Sequence, residues 1–278
     1  MENSFIFDSD LACERRRADT SLAGVEYRKK VTDGGSWELI RITDSAGALS
    51  IGRPIGCYDT LTVERMDLLD AGGIADASEE VARELCRLAD GLGILPERIL
   101  VIGLGNRDLT PDSIGPRCVE AVNATMHIRD AEPKYFSDLE CSAIALLSPG
   151  VSAFSGMDAA RIAEAICMRE HFDTVIAVDS LAARSPARLG RTVQLSDTGI
   201  FPGSGIGNSR GGITKETVGA PVIAIGVPTV IDARFLAGDR CDLRGESMFV
   251  SPKEINGIVG AAARIIAGGI NQAFGIEI

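Results

Sequence analysis

Histidine is nearly absent from this chain, which carries only His127 and His171 among 278 residues. A Ser-His-Asp or Cys-His system therefore has few bases to draw on, and no GxSxG nucleophile elbow occurs. No HExxH pair and no close His/Cys cluster suggests a metal, so no metal or other cofactor is expected. Both histidines fall near the ends of expected helices, where an imidazole can interact with the helix dipole. No run of about 18 apolar residues exists, so no membrane-spanning helix is expected. The opening stretch, MENSFIFDSDLACERRRAD, has no basic segment leading into an apolar one, which gives secretion no support. Positive charge is also short: 28 Lys and Arg face 39 Asp and Glu, a net charge of −11. Such a surface repels a phosphate backbone, so nucleic acid is not expected as a direct partner. The seven cysteines are odd in number and form no CxxC, which points to reduced thiols in a cytoplasm.

What is present is apolar patterning. Residues 1–20 are polar and mixed in charge and read as a loose arm. Residues 22–66 alternate weakly between turn signals, with Glu38–Ile42 as one strand of a small antiparallel unit. From Ser78, read as a helix cap, Val81, Leu85, Leu88 and Leu92 fall on one helical face. Ile99–Ile102, Thr174–Val178 and Pro221–Ile225 are short continuous apolar runs, as expected of strands covered on both faces. Residues 142–147 add a further strand, and Thr192–Leu195 alternates like an edge strand. A helix is expected near 157–170, and another closes the chain, with Ser251 as its cap and Glu254 completing a capping box. Strands alternating with helices predict an α/β fold. It should be a three-layer, mostly parallel sheet with helices on both faces, plus a small N-terminal antiparallel element. A single domain over 1–278 is expected.

In open α/β sheets, ligands gather outside the carboxyl ends of the strands. Three polar segments follow strong apolar runs: Gly103 through Asp112, Asp179 through Arg184, and Gly226 through Asp232. Asp179 directly abuts a buried strand, and a carboxylate there must be solvated, hydrogen-bonded or neutralised. Asp112 follows Pro111 and precedes a helix. Each could instead be a helix cap. Together they could share a proton, the ionised acid activating water and the protonated one acting on a scissile amide. Asp197 is a third carboxylate to consider, and Asp232 a fourth. Gly103-Leu104-Gly105 invites a dinucleotide reading, but Asp108 stands where the third glycine belongs. Residues 199–212 hold six glycines without a GK[ST], which excludes a phosphate loop and leaves either a surface loop or a mobile substrate-binding one.

Several long motifs then carry a family resemblance. VIGLGNRDLTPDSIGP (101–116), SPGVSAFSGMDAARI (148–162), IAVDSLAARS (176–185), QLSDTGIFPGSGIGN (194–208), PVIAIGVPTVIDA (221–233) and SPKEINGIVGAAARIIAGGIN (251–271) together resemble the germination protease family of spore-forming bacteria. The resemblance implies an atypical aspartic-type endopeptidase, related in fold to hydrogenase maturation proteases, that degrades small acid-soluble spore proteins in the spore core. It implies that Asp112 and Asp179 are catalytic. It also implies a homotetramer and a zymogen that loses a propeptide, here residues 1–10, by cleavage between Asp10 and Leu11. On this reading Gly203, Ser204, Gly205 and Asn208 of the glycine-rich loop, with Asn106, help to hold an extended substrate. The chain departs from the family in a shortened segment near 232–250. A hydrogenase-maturation-type processing protease and a non-catalytic ligand-binding module are the alternatives.

Overall fold

The structure is a computed structural model and describes residues 9–16, 22–203, 211–237 and 248–276. Its centre is a mixed nine-stranded sheet with helices on both faces. The strands are β1 (Val25–Thr32), β2 (Gly35–Ile42), β3 (Gly56–Thr62), β4 (Arg98–Gly103), β5 (Ala143–Leu147), β6 (Thr174–Ala183), β7 (Thr192–Ser196), β8 (Val222–Asp232) and β9 (Phe249–Val250). They lie in the order β1-β2-β3-β7-β8-β6-β4-β5, with β9 pairing β8. The half β8-β6-β4-β5 is parallel. The half β1-β2-β3-β7 is antiparallel and joins it through an antiparallel β7–β8 pair. The N-terminal antiparallel element is therefore continuous with the main sheet.

The four longer helices are α1 (Ala71–Gly91), α2 (Ile114–Ala121), α3 (Ala159–Glu170) and α4 (Ile255–Phe274). Val81, Leu85, Ile265 and Ile266 pack α1 and α4 against Ile176, Val193 and Ile225 on one face of the sheet. On the other face, Ala160, Ala163 and Cys167 of α3 pack with Val175, Ala177 and Ala224. Alternate residues of β6 thus enter opposite cores, as a pleated strand covered on both faces requires. Among the described residues, no helix is long and apolar enough to cross a membrane.

Several local expectations change. The helix read from Ser78 starts a full two turns earlier, at Ala71, where Asp70 caps it by accepting from the Gly73 N–H. Ser78 is buried mid-helix and donates to the Ile74 carbonyl instead. The last helix starts at Ile255 after Glu254, with no side-chain cap, so the proposed Ser251 box does not form. β7 is interior rather than at an edge, and all five of its residues are buried. Of the N-terminal arm, residues 9–16 are tied down: Leu11 and Ala12 are fully buried.

Candidate active site

β4 stops at Gly103, which pairs with Val178 of β6. β6 continues to Ala183, so Asp179 is the first residue of β6 beyond the end of its neighbour. The apolar run ends where sequence reading placed it, but the strand does not. β8 accompanies β6 through this extension, pairing Gly226 with Asp179. No helix follows Asp179, which removes its capping alternative. Its side chain is buried, and its Oδ1 accepts the Ser180 N–H at 2.8 Å.

Asp112 approaches from the loop after β4, as the last residue of a short 3-10 turn, Thr110–Asp112. Ser113, not Asp112, stands at the start of α2. The Asp112 carboxylate is used differently: Oδ2 accepts the Asn106 N–H at 2.8 Å, folding the loop back on itself. Gly105 makes this possible. Its φ is +110°, and a Cβ there would lie 2.0 Å from the Asp112 carbonyl oxygen. Gly103 has a different reason: a Cβ there would lie 2.2 Å from the Gly115 carbonyl oxygen of α2.

Asp112 and Asp179 line one cleft, together with Asp10, Gly203 and Gln194. Leu104, Leu109, Ile200 and Phe201 supply apolar wall. Asn106 is not among the lining residues; its backbone N–H holds Asp112, and its side chain accepts the Asp108 N–H at 3.0 Å. Ser204, Gly205 and Asn208 lie outside the described residues. Asp197 does not line the cleft. Its Oδ1 accepts the Cys57 N–H at 2.7 Å, bridging to β3. Asp232 is likewise engaged elsewhere, with Arg234, whose guanidinium draws its carboxyl below the usual range. Among the described residues no group of three or more His, Cys, Asp or Glu could hold a metal ion.

The N-terminal segment reaches this cleft at Asp10. The Asp10 N–H donates to the Ala182 carbonyl at 3.0 Å, and the Asp10 Oδ2 accepts the Ala182 N–H at 2.9 Å. Arg53 donates to the Ser9 carbonyl at 2.9 Å. Glu14 accepts the N–H groups of Arg184 and Ser185. These contacts anchor residues that composition alone marked as loose.

Sequence reasoning missed Gln194, Arg53 and Thr229, which also line the cleft. Gln194 had a signal: it is the one amide in the apolar alternation of β7. Thr229 falls at the bulge where β8 slips against β6, between the partners of Leu181 and Ala182. It is fully buried, and its hydroxyl has no hydrogen-bond partner. Bulges of this kind re-aim side chains next to functional sites.

Comparison with known proteins gives a consistent answer. The family model described as Germination protease matches residues 6–244. A germination protease of Caldanaerobacter subterraneus subsp. tengcongensis is 40% identical over 235 residues, covering 83% of this chain and 71% of the relative. One from Clostridium perfringens is 33% identical over 314 aligned positions, covering 95% of this chain and 94% of the relative. That alignment is longer than the 278 residues here, so the relative has stretches inside the matched span that this chain lacks. One from Bacillus pumilus is 37% identical over 222 residues, covering 80% of this chain and 59% of the relative. Among solved structures, the NiFe-hydrogenase maturation protease HycI from Thermococcus kodakarensis KOD1 aligns with a TM-score of 0.37 at 18% identity, covering 68% of this chain and 99% of that one. That likeness is too slight to carry an argument.

Proposed function

This chain belongs to the germination protease family, and on that premise we propose that it is an endopeptidase that degrades small acid-soluble spore proteins during germination. The observation that carries the chemistry is that Asp112 and Asp179, from separate elements, line the same cleft. In this reading the two carboxyls share one proton, because acids held a few ångströms apart do not both ionise easily. The ionised acid takes a proton from water as the water oxygen bonds to the scissile carbonyl carbon. The protonated acid gives its proton to the amide nitrogen as the C–N bond breaks. The pair is then returned with one proton, and it titrates as a unit.

The position of Asp10 in the cleft supports the zymogen reading, with residues 1–10 removed by cleavage between Asp10 and Leu11. The same reading has the loop around Gly203 hold an extended substrate, with Ser204, Gly205 and Asn208 contributing. A homotetramer in the spore core completes the proposal.

The test is digestion of purified small acid-soluble spore proteins, with products read by mass spectrometry. Wild-type protein should cut them at a small number of internal bonds, and Asp112→Asn should not. Intact spore proteins after long incubation with active, processed wild type would refute the substrate; equal cleavage by Asp112→Asn would refute the pair.

A further inference from the structure

Asp179 of β6 pairs with Gly226 of β8, and Gly226 pairs with Gln194 of β7. Directly paired residues point to the same face of a sheet. Asp179 and Gln194 therefore face the same side of the sheet, on either side of Gly226, whose surface is covered by the Leu181 side chain. Strands lie about 4.8 Å apart, so two strand spacings set the two residues roughly 10 Å apart at the backbone, with side chains reaching inward.

The structure holds a peptide segment against Gln194. Gln194 Nε2 donates to the Asp10 carbonyl at 3.2 Å, and Gln194 Oε1 accepts the Ala12 N–H at 2.8 Å. Asp10 is also tied to Ala182 of β6. Residues 10–12 thus run from Ala182 of β6 to Gln194 of β7, on the far side of β8. Gln194 is 8% exposed and sits in a strand whose five residues are all buried. A buried amide is costly unless its donor and acceptor are both used. Here both are used, and both on main-chain groups, one on either side of Leu11.

We propose that Gln194 is a substrate-binding and carbonyl-polarising residue: Nε2 binds the oxygen of the scissile carbonyl, and Oε1 binds the N–H of the second residue beyond the scissile bond. Because only backbone groups are read, the ligand is an extended peptide of any side-chain sequence at those points. This inference rests on the peptidase reading above, with the Asp10–Leu11 segment standing in for substrate. The two contacts have different tasks. The N–H contact to Oε1 is made equally before and during reaction, so it contributes to binding. The Nε2 contact is at the long end of the N–H···O range and strengthens as charge develops on the carbonyl oxygen, so it contributes to turnover.

The test uses the protein after removal of residues 1–10, a fluorogenic peptide copying the sequence around Asp10 and Leu11, and a depsipeptide with an ester oxygen in place of the second N–H beyond the bond. Gln194→Met, of similar length and without strong hydrogen-bonding groups, should lower kcat by about 10²–10³-fold. Gln194→Glu, which keeps the acceptor and loses the donor, should lower kcat likewise while holding KM closer to wild type. The depsipeptide should raise KM for wild type and leave it unchanged for Gln194→Met. Wild-type kcat in Gln194→Met overturns the proposal. So does a depsipeptide penalty of equal size in both proteins, or loss of activity that tracks a fall in melting temperature across both variants. If active-site titration shows folded wild type cutting no peptide at all, the peptidase reading itself fails, and the inference with it.

Discussion

Asp179 and Gln194 stand in one cross-strand row with only Gly226 between them. The row is available because β4 ends one residue short of Asp179, leaving β6 and β8 to run on together. The acid is thereby held on a paired strand, not on a loop. Strand-borne groups keep their geometry better than loop-borne ones. Asp112 comes from a loop, and its carboxylate is steadied by the Asn106 N–H instead.

The glycine in that row gives the first prediction. A Cβ on Gly226 would come within 2.5 Å of the Leu181 side chain, which must shift. Gly226→Ala should cost about 1–3 kcal/mol of stability, as overpacking does. Displacing Leu181, which lines the cleft, should also raise KM for peptide. Denaturant melts and steady-state kinetics check both. A variant with unchanged stability and KM contradicts this close packing of Leu181 on Gly226.

A second prediction concerns pH and stability, away from the cleft. Asp59 of β3 is buried and pairs with Arg87 of α1, which also binds Glu84. Burial, reinforced by the neighbouring Glu84, pushes the Asp59 carboxyl up to about 8 despite Arg87. The folded chain then keeps a proton that an unfolded aspartate releases near about 4. Proton binding by the folded state favours folding, so this contribution is whole below about pH 4 and is lost as pH rises toward about 8. The melting temperature should therefore fall from about pH 5 to about pH 8, and Asp59→Asn should flatten that slope. An equally steep slope in Asp59→Asn would remove Asp59 from the account.

The thiols supply a third. Burial pushes Cys13, Cys57 and Cys167 each up to about 11, and raises Cys118 further. Cys86 and Cys141 are raised by burial as well. The thiolate is the reactive form, so these six should be sluggish at neutral pH. Among the described residues, no cysteine lines the cleft. Iodoacetamide at pH 7 should leave peptide cleavage intact. Rapid inactivation matched to alkylation of one of these six would revive a cysteine nucleophile.

Much of this was legible beforehand, and the reasons differ by residue. Ile99–Ile102, Thr174–Val178 and Pro221–Ile225 announced themselves because a strand buried on both faces needs an unbroken apolar run. Asp179 stood out because a carboxylate abutting such a run requires explanation. The extension of β6 to Ala183 did not stand out, since Asp179 and Ser180 break the apolar pattern while β8 still pairs with them. β7 looked like an edge because it alternates, yet its polar Thr192, Gln194 and Ser196 are buried. Gln194 spends its polarity on residues 10 and 12, more than 180 positions away. Local pattern cannot see a partner at that separation. The same holds for residues 9–16, which are polar in composition and ordered by contacts with Arg53, Ala182 and Gln194.

The central claim is that an aspartate pair hydrolyses peptide bonds in this cleft, and Asp179→Asn tests it most directly. The measurement is the rate of peptide cleavage by Asp179→Asn beside wild type, with a thermal melt on the same samples. Loss of the acid–base function should lower the rate by about 10²–10⁴-fold, with the fold retained. A folded Asp179→Asn protein that cleaves at close to the wild-type rate would contradict the account.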